Sequence, residues 1–233
     1  MRTIAILPIK SLGAAKQRLG STLAGGARQA LAQAMFSDVL ASLRHVEGVD
    51  DVLVVTADPV AETVAAGAGA RLLVDAEEAG QSAAASIGIA IALAEGFDRA
   101  LLVPGDTPLL DPADLDGILE RAEGAASQVV IVPDRHGTGT NALLLSPPDA
   151  IAPSFGPGSF ERHGALASQA GVSSTVEASS SLALDVDTPA DLEELTRELA
   201  QLRRHAPMTR GALRQLDRAR DSAQPRAPAR SGA

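Results

Sequence analysis

The sequence has no cysteine, no tryptophan and no tyrosine, and only four phenylalanines in 233 residues. Without cysteine there is no disulfide framework, no thiolate metal site and no cysteine nucleophile. With so few aromatics, the bases of single-stranded nucleic acid have almost nothing to stack on, so nucleic acid is not expected as a partner. No apolar run reaches the length of a membrane span, and the first residues read as a strand rather than a signal peptide. The chain is expected to act in the cytoplasm, away from membranes. Lysine is nearly missing too: Lys10 and Lys16 are the only two, against eighteen arginines.

What is present suits a globular enzyme. Hydrophobic residues make up 45%, enough for one well-buried core in a single large domain. Charge is uneven. Residues 201–233 carry eight arginines against two aspartates, so the formal −9 of the whole chain becomes about −15 over residues 1–200. Such a body repels polyphosphates unless local cations or metal ions reverse the field. These contrasts divide the chain into a domain over 1–204 and a basic C-terminal tail over 205–233. The tail is expected to be partly disordered, with one short helix begun by Thr209.

Apolar runs at 3–9, 51–57, 70–75, 99–105, 128–134 and 140–146 have the length and flanks of buried strands. A further strand is expected in "LALDVD", breaking into a helix at Thr188 and Pro189. Helical patterns fill 25–46, 59–69, 82–96, 112–123 and 159–171. This alternation predicts an α/β fold: one Rossmann-like domain with a mostly parallel, mixed sheet and helices on both faces. Ligands of such sheets bind beyond the carboxyl ends of the strands, so chemistry belongs in the strand-to-helix loops.

Lys10, Lys16 and Arg18 put three cations in the loop after the first strand. It is neither a P-loop nor a dinucleotide fingerprint, lacking Gly-Lys-Ser/Thr and Gly-x-Gly-x-x-Gly. Compact ammonium groups suit phosphate, although a solvated loop would also carry them. In "LLVPGDTPLLDP" Asp106 ends a buried strand, where a Mg2+ ligand or a turn residue would sit. In "LDVDTPADL" period-two spacing turns Asp185 and Asp187 to one side, where two like charges call for a cation. Asp187 alone also suits the start of the helix that follows. "DRHGTGTNALL" and "FGPGSFERHG" are glycine-rich loops able to bring backbone N–H groups to an anion. The four histidines show no metal-ligand spacing, and no Gly-x-Ser-x-Gly points to a serine hydrolase.

"ILPIKSLGAAKQRL", "VPGDTPLL", "DRHGTGTNALL", "FGPGS" and "DVDTPADL" together resemble, in order and spacing, the guanylyltransferases of deazaflavin coenzyme F-420 biosynthesis. That family includes enzymes acting on 2-phospho-L-lactate and on phosphoenolpyruvate. The resemblance covers residues 3 to about 200 and implies a nucleotidyltransferase fold, with GTP as substrate and Mg2+ as cofactor. GMP would pass to a phosphorylated three-carbon acid, phosphoenolpyruvate in the bacterial branch, with release of pyrophosphate. It implies Lys10, Lys16 and Arg18 at the GTP phosphates, with Lys16, Arg18 and Asp106 catalytic. Asp106, Asp185 and Asp187 would be metal ligands, and Thr140, Gly156 and Ser159 would hold the acceptor. Ser86 stands where many relatives carry Asn, in a segment expected to face the nucleotide. Partners would be small molecules only, and the protein a monomer or homodimer. Other acceptors (2-phospho-L-lactate, 3-phosphoglycerate, molybdopterin) and a non-catalytic nucleotide-binding module are the competing readings.

Overall fold

The computed structural model describes residues 1–13, 16–75, 77, 79–123 and 128–223. Its strands are β1 Thr3–Pro8, β2 Asp51–Thr56, β3 Arg71–Val74, β4 Arg99–Leu102, β5 Gln128–Pro133, β6 Thr140–Ser146 and β7 Ser173–Val176. Its helices are α1 Gly25–Leu43, α2 Pro59–Gly67, α3 Gln81–Ala94, α4 Pro112–Arg121, α5 Ser159–Ala170, α6 Pro189–Gln201 and α7 Pro207–Ala223. One 3-10 turn spans Gln17–Ser21. The strands form one sheet in the order β3-β2-β1-β4-β6-β5-β7. β1 lies parallel to both β2 and β4, and β3 parallel to β2. β6 runs antiparallel to β4 and β5, and β7 is parallel to β5. The sheet is therefore mixed, as expected.

β1 and β4 are buried along their whole length. Helices cover both faces of these strands, so they read as continuous apolar runs rather than as alternation. One face packs Phe36, Val39, Leu40 and Leu43 of α1 with Ala61 and Ala65 of α2 and Leu115 and Ile118 of α4. The other packs Ala84, Ala85, Ile89 and Ala92 of α3 with Ala167 of α5. Three helices begin in the same way. Asp58, Asp111 and Thr188 cap α2, α4 and α6 with side-chain oxygens, and a proline follows where its missing N–H costs nothing.

Two strand expectations needed correction. Residues 182–187 form no strand. It is joined to its neighbours by two isolated backbone–backbone bonds, Arg135 N–H to Ala183 O and Val186 N–H to Asp106 O at 2.8 and 3.2 Å, and by side chains such as Asn141, whose Nδ2 donates to Leu182 O at 2.8 Å, rather than by a ladder. Its alternation has another cause: Leu184 and Val186 are buried in a third cluster with Leu31 and Met35 of α1 and Leu195 and Leu199 of α6. Conversely β7, of sequence SSTV, was not among the expected strands: it is an exposed edge strand with no apolar periodicity to announce it.

Beyond the boundary expected at 204, α7 packs through Leu213 and Leu216 onto that third cluster. Residues 224–233 of the basic tail, for which disorder was expected, lie outside the described residues. The start of α7 is held by Asp38 of α1, which accepts from the N–H groups of Met208 and Thr209 at 3.1 and 2.7 Å. Burial raises the Asp38 pKa. Asp38→Ala leaves both donors without their acceptor and should cost about 1–2 kcal/mol in urea unfolding; unchanged stability would show that the latch is idle.

Candidate active site

The loop after β1 is anchored from below. Asp58 accepts from Leu12 N–H at 2.8 Å with one carboxylate oxygen, and caps α2 through Val60 and Ala61 N–H with the other. One buried side chain thus ties the loop to the end of β2 and fixes where the two lysines emerge. Lys16 sits in the left-handed region, with φ 58° and ψ 37°, a conformation that costs an L-residue energy unless the surroundings hold it. Its side chain is only 6% exposed, and its ammonium bridges Asp106 Oδ2 at 2.5 Å and Asp187 Oδ1 at 2.9 Å. Burial opposes its charge, but Asp106 and Asp187 more than offset this and hold its pKa above the ordinary value.

Asp106 follows β4 through Gly105, a position with no room for a side chain. A Cβ there would lie 2.5 Å from Ile9 Cδ1 and 3.3 Å from Phe36 Cδ2. Asp187 comes from the loop before α6, and its backbone N–H donates to Asp191 Oδ2 at 3.0 Å. Asp191 in turn completes the capping box of α6 with Thr188 and pairs with Arg135. Asp185 accepts from Asn141 Nδ2 at 3.2 Å. Burial, and next the charge of Asp106, push its carboxyl up to about 6.

Of the three aspartates expected from the sequence, Asp106 and Asp187 meet at Lys16, and Asp185 lies close enough to both to feel their charge. Among the described residues, no three Asp, Glu or His side chains are arranged to share one ion. The reason is visible: the Lys16 ammonium already lies between Asp106 and Asp187. The donor set still fits a hard divalent cation. It is all oxygen, and the Lys16 ammonium pairs with two of the three carboxylates, leaving Asp185 without a cation among the described residues.

The cluster lies on a cavity of about 420 Å³, a size suited to a small ligand. The cavity opens at the carboxyl edge of β3, β2, β1 and β4, with Lys10, Lys16, Asp106 and Asp187 on its wall. Arg18 is exposed and does not line it. Nor does Ser86, which faces solvent within α3 and donates to Ser82 O at 3.0 Å. The residues of that segment that reach the cavity are Gly80, Gln81 and Ala84. Asp75, just past β3, also lines it; its place as the last residue of the strand expected at 70–75 was the one signal available for it.

Thr140, Gly156 and Ser159 form a neighbouring group rather than part of the cavity wall. Gly156 has φ 106°, a region that favours glycine, and its carbonyl accepts from Ser159 N–H at 3.0 Å. Thr140 Oγ1 lies 3.0 Å from Nδ1 of the fully buried His163. Ser154 N–H donates to His163 Nε2 at 2.9 Å, so Nε2 is the acceptor and Nδ1 carries the proton toward Thr140. Burial, with the nearby Arg162 charge, drives the His163 pKa down to about 4. This histidine, unread in the sequence, is a neutral strut between the two glycine-rich loops.

The sign of its pH effect follows. The folded pKa lies below the unfolded one, so its contribution is full above about 6.5 and is lost as pH falls toward 4. Wild type should lose roughly 2–3 kcal/mol more stability than His163→Gln across that window. Parallel curves for the two proteins would remove the effect.

A mixed α/β sheet with an acid-and-lysine cluster beside a cavity at its carboxyl edge suits the phosphate chemistry of a nucleotidyltransferase. The comparisons agree with that class. A nucleotidyl transferase from Methanothermobacter thermautotrophicus superposes with TM-score 0.65 at 18% identity, covering 87% of this chain and 99% of that one. A Mycobacterium tuberculosis protein, Rv0371C in complex with manganese, superposes with TM-score 0.51 at 20% identity, covering 83% and 96%. Residues 3–201 match the family described as guanylyl transferase CofC like. The chain belongs to that family. It is 54% identical over 216 residues to a phosphoenolpyruvate guanylyltransferase of Conexibacter woesei, covering 93% of this chain and 97% of the relative. It is 38% identical over 196 residues to a 2-phospho-L-lactate guanylyltransferase of Methanothermobacter thermautotrophicus, covering 84% of each. Among the described residues, no helix is long and apolar enough to cross a membrane.

Proposed function

We propose that this guanylyltransferase passes GMP from GTP to phosphoenolpyruvate, releasing pyrophosphate and serving deazaflavin coenzyme F-420 biosynthesis in the cytoplasm. The observation that carries the reading is the buried Lys16 ammonium held between Asp106 and Asp187 on the cavity wall. Phosphoenolpyruvate is favoured as acceptor because the 54% identical relative is named for it, while 2-phospho-L-lactate belongs to the name of the 38% identical one.

In this reading the acceptor's phosphate oxygen forms a bond to the α-phosphorus of GTP while the α–β bridging bond breaks. The nucleophile is already anionic, so no general base is required, in keeping with a His163 committed to structure. The chain's work is alignment and charge neutralisation between two anions. Lys16 and Lys10 face the phosphates. Thr140, Gly156 and Ser159 hold the acceptor beside them. Arg18 takes part only when its loop folds inward. Asp106, Asp185 and Asp187 are the residues that would hold Mg2+, which would supply positive charge to the phosphoryl oxygens.

Pyrophosphate release from GTP and Mg2+ should be followed with phosphoenolpyruvate, 2-phospho-L-lactate, 3-phosphoglycerate and molybdopterin in turn. Phosphoenolpyruvate should give the largest kcat/KM. A larger value for another acceptor would reassign the substrate, and no release with any of them would leave a non-catalytic nucleotide-binding module.

A further inference from the structure

Asp75, which follows the edge-side strand β3, is only 5% exposed and lines the cavity wall. Among the described residues its carboxylate accepts one long bond, from Glu77 N–H at 3.3 Å. No cation is paired with it there. A buried carboxylate short of donors is costly, and in a cavity meant for a polyanion it is doubly so unless the ligand brings N–H groups to it. Gln81, in the first turn of α3, lines the same cavity, and its amide, able both to donate and to accept, makes no hydrogen bond among the described residues.

Position along the sheet says which part of a nucleotide arrives there. Asp75 follows β3 and Asp106 follows β4, and the order β3-β2-β1-β4 puts three strand spacings between them. At about 4.8 Å each, that is roughly 14 Å. With the phosphates at Lys16 and Asp106, a nucleoside laid across β1 and β2 brings its base, not its ribose, to β3.

We infer that Asp75, assisted by Gln81, reads the Watson–Crick edge of guanine and is the base-selecting residue of this site. The inference rests on the guanylyl-transfer reading. Guanine presents N1–H and the N2 amino group side by side, two donors matched to the two oxygens of one carboxylate. Gln81 supplies the N–H that guanine O6 requires. Adenine offers an acceptor at N1, which would leave the Asp75 carboxylate facing a lone pair.

The test is a specificity swap. Xanthine keeps N1–H but carries a carbonyl at C2 in place of the amino group. An asparagine at this position would accept from N1–H and donate to that carbonyl. Asp75→Asn should therefore raise the ratio of kcat/KM for XTP to that for GTP by about 100-fold, two charge-assisted hydrogen bonds being exchanged. Wild type should favour GTP over ITP, which lacks the amino group, by about 10- to 100-fold. A folded Asp75→Asn with an unmoved ratio, or with GTP and XTP reduced alike as a ribose contact would give, overturns the inference. So does wild type using ITP as well as GTP, a measurement that holds even if the variant misfolds. Wild type releasing no pyrophosphate from GTP with any acceptor would instead sink the guanylyl-transfer reading, a separate and distinguishable outcome.

Discussion

Asp106→Ala should lower kcat by about 10³-fold or more, equivalent to about 4 kcal/mol of transition-state stabilisation. The expectation comes from what this side chain touches. It is 27% exposed on the cavity wall, and Lys16 is its one hydrogen-bonding side-chain partner among the described residues. The fold has little stake in it, because the link to the Asp187 loop runs through the Asp106 backbone carbonyl, which accepts from Val186 N–H at 3.2 Å. The variant should therefore keep its circular dichroism and melt within a few degrees of wild type while turnover collapses. Asp187→Ala should be milder, since its 46% exposed carboxylate holds the ammonium at longer range. Near-normal pyrophosphate release by Asp106→Ala would show that this carboxylate is only the end of a turn.

How much of this could be read without coordinates differs from element to element. β1, β4 and the starts of α2, α4 and α6 were legible because burial on both faces, a proline at the first helical position and, at Thr188, a cap leave marks on neighbouring residues; the caps Asp58 and Asp111 were not read. β7 was not, because a four-residue edge strand made mostly of serine and threonine is paired by its backbone alone. The stretch 182–187 misled because alternation reports which residues are buried and not whether the backbone joins a ladder. The aspartates could be found since each ends an apolar run, but their convergence on Lys16 spans 90 and 171 residues of sequence. Asp38 reaches α7 across a similar distance, and no local pattern encodes such a contact. Arg18 was grouped with the lysines by its place in the loop and by the family resemblance, and the 3-10 turn at Gln17–Ser21 carries it out to solvent.

Lys16→Ala should cost roughly 2–4 kcal/mol in kcat/KM, as loss of a pre-placed donor to developing negative charge does elsewhere. Three features make the ammonium hard to replace. Its side chain is buried between two carboxylates, its backbone is held at φ 58°, and the loop bearing it is pinned by Asp58. Lys16→Arg should not restore activity, since a wider planar guanidinium does not occupy the place of a compact point charge. The backbone separates function from stability. Glycine adopts this left-handed conformation freely, whereas alanine must be forced into it, at about 1–2 kcal/mol. Lys16→Gly should therefore be about 1 kcal/mol more stable in urea than Lys16→Ala, while both are equally poor catalysts. That pattern would mean the strain at this residue is retained to hold the ammonium in place. An unchanged catalytic constant in Lys16→Ala would take the residue out of the reaction altogether, and equal stability of the two variants would mean that its backbone stores nothing.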